Sequence, residues 1–139
     1  MSLFFLLLSS AVSIDGPDLA AIDRAVAKCD AKVMTATFAD EPQRRRAFAI
    51  AAFSEQQDIV SARRALIARR MPPAPAITPL PVSVPVTADD HAELDRQAQL
   101  LAQRQQELDD ARMLSAMRDQ VLDLMRQQYV SKCSSGRQP

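Results

Sequence analysis

The chain has 139 residues, of which 47% are hydrophobic, 4% aromatic and 24% charged, and its formal net charge is zero. That length admits a single domain with a modest core, and the charge balance excludes a bulk electrostatic pull toward nucleic acid or anionic membrane. Two glycines, Gly16 and Gly136, leave almost no material for tight hairpin turns, which excludes a β architecture.

The first element is apolar. Leu3 to Leu8 is a continuous greasy run, followed by Ala11-Val12-Ser13. It is shorter than the roughly 20 residues that span a bilayer, but it fits the apolar region of about 7–15 residues in a secretory signal, which ends in small residues. Residues 1–13 are therefore expected to be a signal peptide. The mature chain would begin near Ile14, a single α-helical domain over 14–139 exported to the periplasm or secreted from a bacterial envelope. The run has no Lys or Arg before it, unlike the usual signal, and a retained membrane anchor and a core segment are the competing readings. The core reading fits poorly, because Phe4, Phe5 and Leu6–Leu8 would be apolar on every face of a helix.

Helical spacing of Leu19, Ile22, Val26 and Cys29 predicts a first helix over about 17–32, with Asp15 as its N-cap and Pro17 in its first turn. A connector is expected from Thr35 to Asp40, with Met34 and Phe38 as small core contributions. Asp40, Pro42 and Gln43 then read as the cap, first turn and capping box of a second helix over about 42–70. Within it Phe53, Val60 and Ile67 recur seven apart, with Ala52, Ile59 and Leu66 beside them. Met71-Pro72-Pro73 ends it. Residues 72–88 hold six of the nine prolines and no charge, the composition of a stiff linker. A docking segment with a valine face is the alternative.

The third helix is predicted over about 88–131, capped by Thr87, with Asp89, Asp90 and Glu93 at the positive end of its dipole. Leu94, Ala98, Leu101 and Leu108 form a narrow seam; from Met113 the apolar set widens through Leu114, Met117, Val121, Leu124, Met125 and Val130. A narrow seam calls for one neighbour and a wide face for two, so residues 91–110 are expected in a two-helix arm and 113–130 in a three-helix end. At the α-helical rise, 42–70 is roughly 43 Å long and 88–131 roughly 66 Å. Folded antiparallel, the third helix overshoots the second by about 20 Å, an overhang sized for the first helix. The predicted fold class is thus all-α, a short first helix plus two long antiparallel helices joined by a Pro-rich linker. In architecture it resembles the hairpin-armed periplasmic chaperones.

Arg44-Arg45-Arg46, Arg63, Arg64, Arg69 and Arg70 suggest a phosphate patch until the charges are counted by helix. Residues 41–71 carry seven Arg against three acids, and residues 89–126 carry nine acids against five Arg. The two long helices are complementary, which favours pairing with each other over self-pairing of either. No Gly-rich loop or interleaved aromatics accompany the arginines, as a phosphate or nucleic-acid site would require.

In an exported chain, two cysteines most simply form one disulfide. The antiparallel count puts Cys29 and Cys133 at the same end of the molecule. His91, the one histidine, sits in a polar first turn, which argues against a metal site, and Ser54 and Ser61 lack a base placed to activate them. No cofactor and no enzyme activity are expected. The expected role is a noncatalytic protein-binding or structural module, with an unidentified protein partner and a homodimer left open, no nucleic acid, and no stable membrane span after signal removal. An inhibitor or accessory subunit of an envelope enzyme is the alternative; a small hydrolase is disfavoured by the missing nucleophile–base pair.

Overall fold

The computed structural model describes residues 16–71 and 88–134. They form three helices, α1 (Leu19–Lys28), α2 (Ala31–Arg70) and α3 (Ala88–Ser134). The expected signal peptide, the Asp15 and Thr87 caps and the Pro-rich linker up to residue 87 lie outside the described residues. The all-α class and the helical hairpin with a three-helix end are as the sequence predicts.

The break between the first two helices falls earlier than expected. It lies at Cys29-Asp30, and the expected connector from Thr35 to Asp40 is helical. The reason is local capping. Cys29 adopts a left-handed conformation at φ 52°, with the Cys29 amide donating to the Val26 carbonyl and the Asp30 amide to the Ala25 carbonyl. This is a Schellman termination, in which glycine usually occupies the left-handed position. Asp30 then caps α2, its carboxylate accepting from the Lys32 and Val33 amides at 3.1 Å each. Asp18, rather than Asp15, caps α1 by accepting from the Ala20 amide.

Pro42 consequently lies inside α2 rather than in its first turn. A proline in a helix interior removes a hydrogen bond and costs about 3 kcal/mol. One turn earlier, Arg44 donates to the Thr37 carbonyl at 2.8 Å. With the connector absorbed, α2 is about 60 Å long and α3 about 70 Å, so the overhang is smaller than predicted. The first helix does not extend beyond the start of α2. It folds back antiparallel to α2 and parallel to α3, packing on both.

The three-helix end is cored by Ile22, Ala25, Val26, Met34 and Leu122, with Leu19, Phe38, Met125 and Tyr129 packed against them. Arg126 stacks over the Phe38 ring, 5.6 Å from its centroid. The wide apolar face is only partly covered. The first helix sits on Leu122, Met125 and Tyr129, while Met113, Leu114, Met117, Leu124 and Val130 stay half exposed. They point around the helix from the α1 side, because a heptad row tracks the neighbour and these residues belong to other rows.

Farther out, the arm follows the predicted seam. Ala52, Ile59 and Leu108 form one buried cluster with Phe48 against it, and Leu66, Leu94 and Leu101 form another with Ala62 and Ala98. One polar level lies between Leu101 and Leu108. Glu55 meets Arg104 at 2.7 Å on one side of the hairpin; Gln56 and Gln105 exchange reciprocal bonds at 3.0 and 3.3 Å on the other. Charge complementarity between the helices also appears as Arg70–Asp95 and Arg45–Asp123 pairs.

Cys29 and Cys133 are bonded, with their Cα atoms 5.6 Å apart and a sequence separation of 104. Cys133 lies in the last turn of α3, not just past its end. Closing a loop of that size removes unfolded-state entropy worth up to about 4.7 kcal/mol. Cys133→Ser is expected to lower unfolding free energy by about 2–5 kcal/mol in urea titrations. Hydrogen exchange of the variant should accelerate first in α1 and last in the arm.

Candidate functional site

The most concentrated chemistry lies at the three-helix end, around Glu41. Its carboxylate is 3% exposed and is reached by Arg44 at 3.1 Å, Arg45 at 3.2 Å and Arg118 at 3.6 Å. The first two come from the following turn of α2, at the i+3 and i+4 spacing that brings helical side chains together. Arg118 crosses from α3 and also meets Asp119 at 3.0 Å. Arg45 continues to Asp119 at 3.5 Å and Asp123 at 3.2 Å. Burial pulls the Arg45 guanidinium toward lower pKa, but its hydrogen bond to Glu41 and the charges of Asp119 and Asp123 outweigh that. The net effect holds it above the ordinary arginine value.

Gly16 closes over this cluster. A methyl group at Gly16 would sit 2.9 Å from Arg118 Cδ, so the chain entering α1 lies directly on the arginine, and any side chain there would push the guanidinium aside. The cluster is thus closed and internally paired. It is a set of mutually neutralising charges that lock three segments, and the arginines that looked like an anion patch, Arg44 and Arg45, are held inside it. The sequence reading missed Glu41 as a buried acid. The Glu41–Arg44–Arg45 spacing was its one visible signal.

The other residues raised by the sequence are dispersed. His91, Ser54 and Ser61 are exposed, each on a helix surface. Asp109 accepts from Gln105 and Asp110 from Gln106 within α3. Among the described residues no group of three or more His, Cys, Asp or Glu is placed to hold a metal ion, and no helix is long and apolar enough to cross a membrane. Between the arms a cleft of about 410 Å³ is walled by Leu66, Leu100 and Leu101 beside Arg69, Glu93 and Arg104.

Two apolar rows complete the surface. On α2, Ile50, Phe53 and Ile67 are more than half exposed, with Val60 between the last two. On α3, Leu114, Met117 and Leu124 are half exposed although α1 is already packed beside them. No protein-family model, curated protein or solved structure matches the chain. The surface chemistry is therefore the ground on which a function can be argued.

Two outcomes test this description. Glu41→Gln should lower stability by about 1–2 kcal/mol, because it removes the charge that joins Arg44, Arg45 and Arg118, two of which keep Asp119; chemical denaturation would measure it. At the arm's open end, Glu93 is held below its ordinary 4.5 by hydrogen bonds from Arg96 and then Gln97. A folded pKa below the unfolded one means a stabilising contribution that is complete above the unfolded value and lost as pH falls through the folded value. Carboxyl-detected NMR should place the Glu93 midpoint below 4.5, and Arg96→Ala should raise it.

Proposed function

We propose that the protein is an exported, noncatalytic helical module that works by binding proteins along exposed sides of its two long helices. The observation that carries this reading is the pair of exposed apolar rows, Phe53–Val60–Ile67 on α2 and Leu114–Met117–Leu124 on α3. Each repeats at heptad spacing, the pattern by which one helix receives another. Contiguous apolar surface on a monomer marks sites of protein contact. The arm needs none of these side chains for its own seam, which is filled by Ala52, Ile59, Leu66 and the α3 leucines.

Export is supported by the apolar opening run and by the Cys29–Cys133 bond, since such bonds persist in oxidising compartments. A noncatalytic role is supported by the scatter of His91, Ser54 and Ser61 over separate exposed surfaces and by the self-neutralised Glu41 cluster.

The test is made in the native host. A photo-crosslinking residue placed at Phe53 or at Met117 should yield protein adducts in the envelope fraction, while one at exposed Arg24 on α1 should not. Adduct-free protein at both positions would refute the binding role. Intact-mass analysis of the same material should show a chain beginning near Ile14; a full-length cytosolic product would refute export.

A further inference from the structure

We infer that one occupant of these rows is a second copy of this chain, joined head to tail, with the α2 row of one molecule seated on the α3 row of the next. The inference rests on the protein-binding reading above and names its partner.

The two rows have the same spacing. On α2 the positions run 46, 50, 53, 57, 60, 64 and 67; on α3 they run 110, 114, 117, 121, 124, 128 and 131. Both alternate steps of four and three, the repeat that keeps two helices in contact along their length. Both carry apolar residues at matching places, Ile50, Phe53 and Val60 against Leu114, Met117 and Leu124. Their charges are opposite. Arg46 and Arg64 lie within the α2 row and Arg63 beside it, whereas Asp110 opens the α3 row with Glu107 one turn before. Pairing α2 with α2 would crowd arginines, and pairing α3 with α3 would crowd carboxylates. Pairing α2 with α3 brings opposite signs together.

The geometry also fixes the symmetry. Phe53 and Val60 flank Gln56, which crosses to Gln105 on one side of the hairpin. Leu114 continues the row of Leu100, which stands one turn from Arg104 on the side where that arginine meets Glu55. The two rows therefore face opposite sides of the molecule, at different levels along it. A two-fold dimer uses one patch twice, so it cannot satisfy both rows; a head-to-tail contact can, and it leaves a free row at each end. A contact between two single helices falls below the standard interface size, which makes the association weak and concentration-dependent.

The experiment uses oxidised protein purified from its host. Sedimentation velocity up to about 1 mM, a range that captures weak association, should show mean mass rising past that of a dimer. Phe53→Glu blocks the α2 row and Met117→Glu the α3 row, the like charges keeping the two blocked rows apart in a mixture. Each variant alone should remain monomeric, and an equimolar mixture should form a dimer that grows no further, because one intact row from each meets the other. Circular dichroism checks that both variants stay helical, and Val60→Glu with Leu124→Glu provides a second pair should either of the first unfold. Wild-type protein that stays monomeric, or stops at a closed dimer, overturns the inference, as does a mixture that fails to pair. Crosslinks from Phe53 or Met117 to other proteins alongside a monomeric wild type would sink self-association while leaving the proposed function standing.

Discussion

Three segments reach one end of this molecule: the close of α1, the start of α2 and the close of α3. The Cys29–Cys133 bond holds the first and last of them together, and the remaining architecture depends on that closure. The chain lacks Trp and is aromatic at only 4%, so its apolar clusters are small and separated. A domain of this size is stable by about 5–15 kcal/mol in total. A loop constraint worth up to about 4.7 kcal/mol is therefore comparable to a large part of the whole. It also positions α1, whose ten residues would be too few to hold a helix in water unaided.

Beside the bond, the Glu41 cluster supplies direction rather than bulk stability. Buried ion pairs lose much of their Coulomb energy to desolvation, and their best-attested use is in selecting one arrangement over others. Here Glu41 is paired within α2 by Arg44 and Arg45, and α3 adds Arg118 at the same level. Gly16 lying against Arg118 ties the chain leading into α1 to the same level. Pro42 fits this scheme. It interrupts α2 next to Glu41, where Arg44 ties the turn before it by reaching the Thr37 carbonyl.

Much of this was legible in the sequence. The seam of Leu94, Leu101 and Leu108 announced a single neighbour because burial on a long helix follows the heptad row. The two cysteines paired as the antiparallel count required. What failed was the location of the first break, since Asp40-Pro42-Gln43 carries the same local chemistry as a helix start, and a left-handed Cys29 gives no compositional sign where glycine would have. The wide face from Met113 onward was also misread. Composition shows how many sides of a helix are apolar but not which of them α1, only ten residues long, will reach. Glu41 was invisible for a related reason: its burial depends on an arginine on another helix.

The polar level formed by Glu55–Arg104 and Gln56–Gln105 within the leucine seam has a mechanical meaning. In an all-leucine seam two helices could slide by a heptad at small expense. Here a heptad slip keeps the apolar rows facing each other but separates Glu55 from Arg104 and Gln56 from Gln105, leaving those groups without partners in a half-buried setting. The arm is therefore a ruler. The axial interval between the docking row on α2 and the docking row on α3 is set by the polar rungs, whatever load is drawn along the arm.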